Sequence, residues 1–126
     1  FELAPEVRVL WAHLGTVPVP GLVGRTLERH AARALWVDTS VRDARIAPDG
    51  VLLPEWRELF EAHPERFVVA VDTFSTNRWR NYGEVVAAIR GWVDTLSPDL
   101  RERMLRRNAE ALFAPWLNKA ATADRP

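Results

Sequence analysis

The chain has 126 residues, of which 48% are apolar and 27% charged, enough for one compact domain with a core and too apolar for a disordered segment. Its formal net charge is zero, with no run of five like charges, so nothing in it suggests the basic patch that nucleic acids and other polyanions usually require to displace counterions. The absence of cysteine excludes disulfides and thiolate metal sites and leaves His, Asp and Glu as the protein ligands open to a metal.

Along the chain, residues 7–12, 34–37 and 67–71 form short apolar runs rich in Val, Leu and Trp. Each is too short for a helix and lacks polar alternation, so each reads as a strand buried on both faces, as in a parallel sheet covered by helices. Between the first two, residues 21–33 carry Leu22, Val23, Leu27 and Ala31 on one helical stripe. Between the second and third, residues 54–62 begin with Pro54, tolerated in a first helical turn, and place Trp56, Leu59 and Phe60 at helical spacing. After the third run the pattern is helical throughout. Tyr82, Val85, Val86, Ile89, Trp92, Val93 and Leu96 mark one helix face, and Leu100, Met104, Leu105, Leu112 and Phe113 mark a second. Ser97 and Pro98 supply an N-cap and first-turn residue between them. The remaining Trp residues are expected on core faces, and residues 119–126, small and polar, are expected to form a disordered tail behind a domain of residues 1–118.

The order strand, helix, strand, helix, strand, helix, helix specifies right-handed βαβ units and a parallel sheet. Aligned by pattern, each four-residue apolar run ends in His or Asp: His13, Asp38 and Asp72. All three are expected at one end of the sheet, the carboxyl end, where parallel α/β proteins bind ligands and barrels place catalytic groups. Such a row suits a divalent metal or a general base.

The segments that carry these residues are His13-Leu14-Gly15, Trp36-Val37-Asp38-Thr39-Ser40 with Arg42, Pro64-Glu65-Arg66-Phe67 leading to Val71-Asp72-Thr73, and the closing Asn108-Ala109-Glu110-Ala111-Leu112-Phe113. In order and spacing they resemble the last strands of the amidohydrolase-2 branch of the amidohydrolase superfamily. The resemblance implies an α/β fold made of the last three strands, sixth to eighth, of a (β/α)₈ barrel, with covering helices and a C-terminal helix pair. It also implies a mononuclear site, commonly zinc, whose His-x-His pair on the first strand and His on the fifth are not in this chain.

By the same resemblance, Asp72 matches the eighth-strand acid that binds the metal and takes the proton from its water, and His13 matches the sixth-strand His that contacts water, substrate or metal. Asp38 matches no usual ligand, and a loop-fixing role is favoured for it. Arg42 is a candidate for a substrate carboxylate, or pairs with Asp43 or Asp38. Arg78 and Trp79 fall after the third strand, with a packing role favoured over a place at the pocket mouth. His30 and His63 are expected at the surface.

The expected activity is hydrolysis of a small ester, lactone or amide through metal-activated water, with Asp72 as base. The alternatives are non-oxidative decarboxylation by the same superfamily, and an inactive truncated fragment. The chain starts at Phe1 and is expected to be part of a longer protein, since a complete barrel takes about 250 residues. Outer strands without neighbours would leave backbone groups that favour self-association into a homo-oligomer. No apolar run approaches the roughly 20 residues of a membrane span and no signal-peptide pattern opens the chain, so no membrane partner and a cytoplasmic location are expected.

Overall fold

Short runs of branched and aromatic side chains can bury both faces of a strand only inside a layered α/β arrangement, and the computed structural model, which describes residues 4, 6–40, 45–73 and 75–123, has that arrangement. Three strands, β1 (Val9–Trp11), β2 (Leu35–Asp38) and β3 (Phe67–Val68), form a parallel sheet in the order β1-β2-β3. The helices are α1 (Pro20–Arg29), α2 (Pro54–Ala62), α3 (Thr76–Arg80), α4 (Tyr82–Val93), α5 (Pro98–Glu102) and α6 (Asn108–Ala123), and a π-helical segment, Arg103–Arg107, joins α5 to α6. The α/β class expected from the sequence is therefore observed.

The register differs from the one suggested by matching polar ends. Val9 lies opposite Leu35 and Trp11 opposite Val37, one residue from the expected pairing, but Asp38 lies opposite Val68 rather than Asp72. β3 is correspondingly shorter than expected, ending at Val68. The reason lies in the next amide: Val69 donates to the carbonyl of Met104, 3.0 Å away in the π segment. The chain thus leaves the sheet at Val69 and carries Asp72 beyond it. Residues 69–73 hold no regular structure.

Helix boundaries follow local chemistry. Pro20, Pro54 and Pro98 each occupy a first turn, where the missing N–H has no helical partner to lose. Ser97 caps α5 by accepting from the Leu100 amide. α1 stops at Arg29, four residues before its expected end, and α6 runs to Ala123, through the first part of the expected tail. Around the π segment, Arg103 bonds Asp99 and reaches Glu65 ahead of β3, and this bond from Arg103 holds the Asp99 carboxyl below its usual range.

The core lies between the sheet and helices α1, α2, α4 and α5, built on Val37, Phe60, Phe67, Trp56, Trp92 and Met104. A smaller cluster of Trp36, Val68 and Leu112 holds α6 on the other face. Asn108, the first residue of α6, is buried and donates through Nδ2 to the carbonyls of Pro64 at 2.9 Å and Phe67 at 2.8 Å. It thereby ties the last helix to the start of β3. Substituting Asn108→Ala strands both carbonyls and should lower stability by about 2–3 kcal/mol, read as a shift in denaturant midpoint without a change in slope.

Several side chains expected in the core are exposed: Leu22, Tyr82, Leu105, Phe113 and Trp116 are each 40–56% accessible. With Val7 and Leu10 at the first strand, they leave apolar side chains on β1, α1, α4, the π segment and α6 partly open to solvent.

Candidate active site

The site begins with the turn that follows β1. Residues Ala12–Gly15 coil tightly, with φ of 58° at His13, 48° at Leu14, 81° at Gly15 and 70° at Thr16. Left-handed backbone is unfavourable for residues with a Cβ and persists only where surrounding contacts enforce it, most often at functional sites. Here the enforcing groups are visible. Leu14 is fully buried in the core, and the His13 amide donates to Asp38 Oδ1 at 2.8 Å. Gly15 lies against the Trp11 ring, where an added Cβ would come to 2.4 Å from Cζ2. Gly15→Ala should accordingly lose about 2–3 kcal/mol from combined strain and overlap, seen as a lowered Tm.

Asp38, at the end of β2, is 7% exposed. Its Oδ1 accepts from the amides of His13 and Ser40, the latter at 3.0 Å, and from the Ser40 hydroxyl. The imidazole Nδ1 of His13 faces Ser40 Oγ at 2.8 Å and the Ser40 carbonyl at 3.1 Å. Asp38 therefore fixes the loop, and it does so by holding the residue on the neighbouring strand end.

Asp72 stands on the extended segment after β3. Arg78, from α3, donates through Nη1 to the Asp72 carboxylate at Oδ2 and to its backbone carbonyl at 3.1 Å. Both side chains are 33% exposed. Arg78 therefore does not take the packing role favoured for it: it stands in the cleft wall as an ion pair with the candidate base, on a helix that carries no apolar stripe to announce it.

His13 and Asp72 line the same open cleft of about 670 Å³, together with Ser40, Arg45, Asn77 and Arg78. Its apolar wall is formed by Val71, Val85 and Ile89. Arg42 lies outside the described residues. Arg45, three positions on, lines the cleft instead; it sits between elements with no periodicity to mark it, as does Ser40, whose role emerges only from its partners. His30 and His63 are half-buried and lie outside the cleft.

Imidazole and carboxylate are donors that zinc accepts, so His13 and Asp72 fit the metal in kind. They fall short in number: among the described residues no group of three or more His, Asp or Glu gathers to hold an ion, whereas catalytic zinc sites take three protein ligands. No helix among the described residues is long and apolar enough to cross a membrane.

Comparison with known proteins gives no match to a curated protein and none to a solved structure. A family model described as amidohydrolase matches residues 1–114. That span takes in the three described strands, the His13 turn, Asp72 and the Asn108 motif, and the chain belongs to the amidohydrolase superfamily.

Proposed function

We propose that the chain supplies the sixth to eighth strands of a (β/α)₈ barrel and that the complete enzyme hydrolyses a small ester, lactone or amide. The observation that carries this reading is the placement of His13 and Asp72 in the wall of one cleft, beyond the carboxyl ends of parallel strands. A divalent metal, in this reading zinc, would be held by His13 and Asp72 with further ligands from outside the described residues, and supplies Lewis acidity and a water of lowered pKa.

The chain's own groups do the rest. Arg78 grips Asp72 at Oδ2 and at the backbone carbonyl, which leaves Oδ1 to take a proton from the attacking water. His13 lines the same space, and Val71, Val85 and Ile89 offer an apolar surface to the body of a small-molecule substrate. The exposed apolar side chains on β1, α1, α4 and α6 fit this proposal, because the remaining strands and helices of a barrel would cover such surface.

A second reading, non-oxidative decarboxylation, is favoured by Arg45 and Arg78, two guanidinium groups in a cleft where Asp72 is the one acid among the described residues. They suit a carboxylate-bearing substrate. Assaying the complete protein against lactones, esters, amides and aromatic carboxylic acids separates the two. Hydrolysis that is lost on chelation and restored by zinc is expected. Carbon dioxide release without hydrolysis would establish the second reading, and neither activity would refute both. The chain by itself is expected to be inactive and to bind zinc weakly, as measured by calorimetry; tight one-to-one binding would overturn that.

A further inference from the structure

We propose that Asp38 and Ser40 are positioning residues that lock the imidazole of His13 in the tautomer bearing its proton on Nδ1, so that Nε2 turns an unprotonated lone pair toward the cleft.

Three side chains, Asp38, Ser40 and His13, can share their protons in one consistent way. Asp38 Oδ1 meets two backbone amides, those of His13 and Ser40. An amide can only donate, so Oδ1 is an acceptor and carries no proton. The Ser40 hydroxyl also contacts Oδ1, and of the two it alone has a proton to give. Ser40 Oγ therefore donates to Asp38 and shows only lone pairs to its other neighbour, His13 Nδ1 at 2.8 Å. The Ser40 carbonyl, 3.1 Å from the same nitrogen, is likewise an acceptor.

A bare Nδ1 would face two acceptors and no donor. A protonated Nδ1 satisfies both, and in a neutral ring Nε2 then keeps its lone pair. The alternative would require Ser40 to turn its proton from Asp38 to Nδ1, leaving a buried carboxylate oxygen one donor short. Among the described residues none is recorded bonding Nε2, while the ring lines the cleft. Asp38 also holds the left-handed His13 backbone through its amide, so one carboxylate fixes both the position of the ring and, through Ser40, its proton. A ligand or proton acceptor needs that lone pair. The use made of Nε2 rests on the function proposed above; the tautomer does not.

The experiment is long-range proton–nitrogen correlation NMR on the metal-free, ¹⁵N-labelled chain, about two pH units above the ordinary histidine pKa of about 6.5. The His13 signal is assigned by its loss in His13→Gln. The wild-type chain should show a protonated Nδ1 and a bare Nε2. In Ser40→Ala the ring should shift toward the Nε2–H form that free histidine prefers, and Ser40→Thr, which keeps the hydroxyl, should restore the wild-type pattern. An Nε2–H signal in the wild type overturns the inference outright. An unchanged tautomer in Ser40→Ala shows that the carbonyl alone sets it and removes the relay. Because neither metal nor substrate is present, a failure here is separate from failure of the hydrolase reading, which the activity panel tests.

Discussion

Replacing Asp72 by Asn is expected to reduce turnover of the complete enzyme by about 10²- to 10⁴-fold, the contribution of a positioned proton acceptor, while leaving the fold intact. Asn keeps the size of the side chain, the backbone carbonyl that Arg78 also grips, and an oxygen for the guanidinium at Oδ. It loses the negative charge and the capacity to take a proton. Because the side chain is one-third exposed, its ion pair adds little to stability, and the Tm should move by no more than a few degrees. Metal content of the variant, measured beside its activity, separates loss of the base from loss of a ligand. Near wild-type turnover would remove Asp72 from the mechanism.

The largest effect on stability is expected from Phe60→Ala. Phe60 is fully buried and meets three rings at once: Phe67 edge-on at 4.7 Å, Trp92 stacked at 5.9 Å and Trp56 at 6.0 Å. It thus joins α2 to β3 and to α4. Truncation removes the apolar burial, leaves a cavity that rigid aromatic walls close poorly, and takes away three ring contacts, together about 3–5 kcal/mol. Against a total stability of about 5–15 kcal/mol for a typical domain, denaturant unfolding should show a much lower midpoint or no folded baseline. A loss below about 1 kcal/mol would mean that the core lies elsewhere.

What could be read beforehand depended on whether a signal was local. Pro54 and the spacing of Trp56, Leu59 and Phe60 locate α2 at both ends, because a first-turn proline and a 3.6-residue stripe are features of the segment itself. The placement of His13 and Asp38 at or just beyond strand ends was legible for the same reason. The register of β3 was not. The run 67–71 is equally apolar whether its amides bond a strand or, as Val69 does, a carbonyl from a distant helix, and that choice lies in residue 104.

α3 was invisible because Thr76–Arg80 has no buried residue. It nonetheless aims Arg78 at Asp72. The left-handed turn was hidden by His13 and Leu14 themselves: neither type signals positive φ, and only Gly15 hinted at it. Ser40 stood in the segment 36–40 without a role of its own, and its part becomes clear only when its neighbours' protons are counted.

A proline inside α6 gives the residue just ahead of the first strand a hold on the last helix. Pro115 has no N–H to return to Ala111, and the orphaned carbonyl is taken by Arg8 Nη1 at 2.5 Å, with Leu112 at 3.2 Å, while the guanidinium rests 5.6 Å from the centre of the Trp36 ring. A clasp between positions more than a hundred apart in sequence can close only once the sheet is assembled. Deuterium should therefore enter the turns of α6 near Pro115 well before it reaches β2, and removing the Arg8 side chain should widen that gap while barely changing the exchange of the strands.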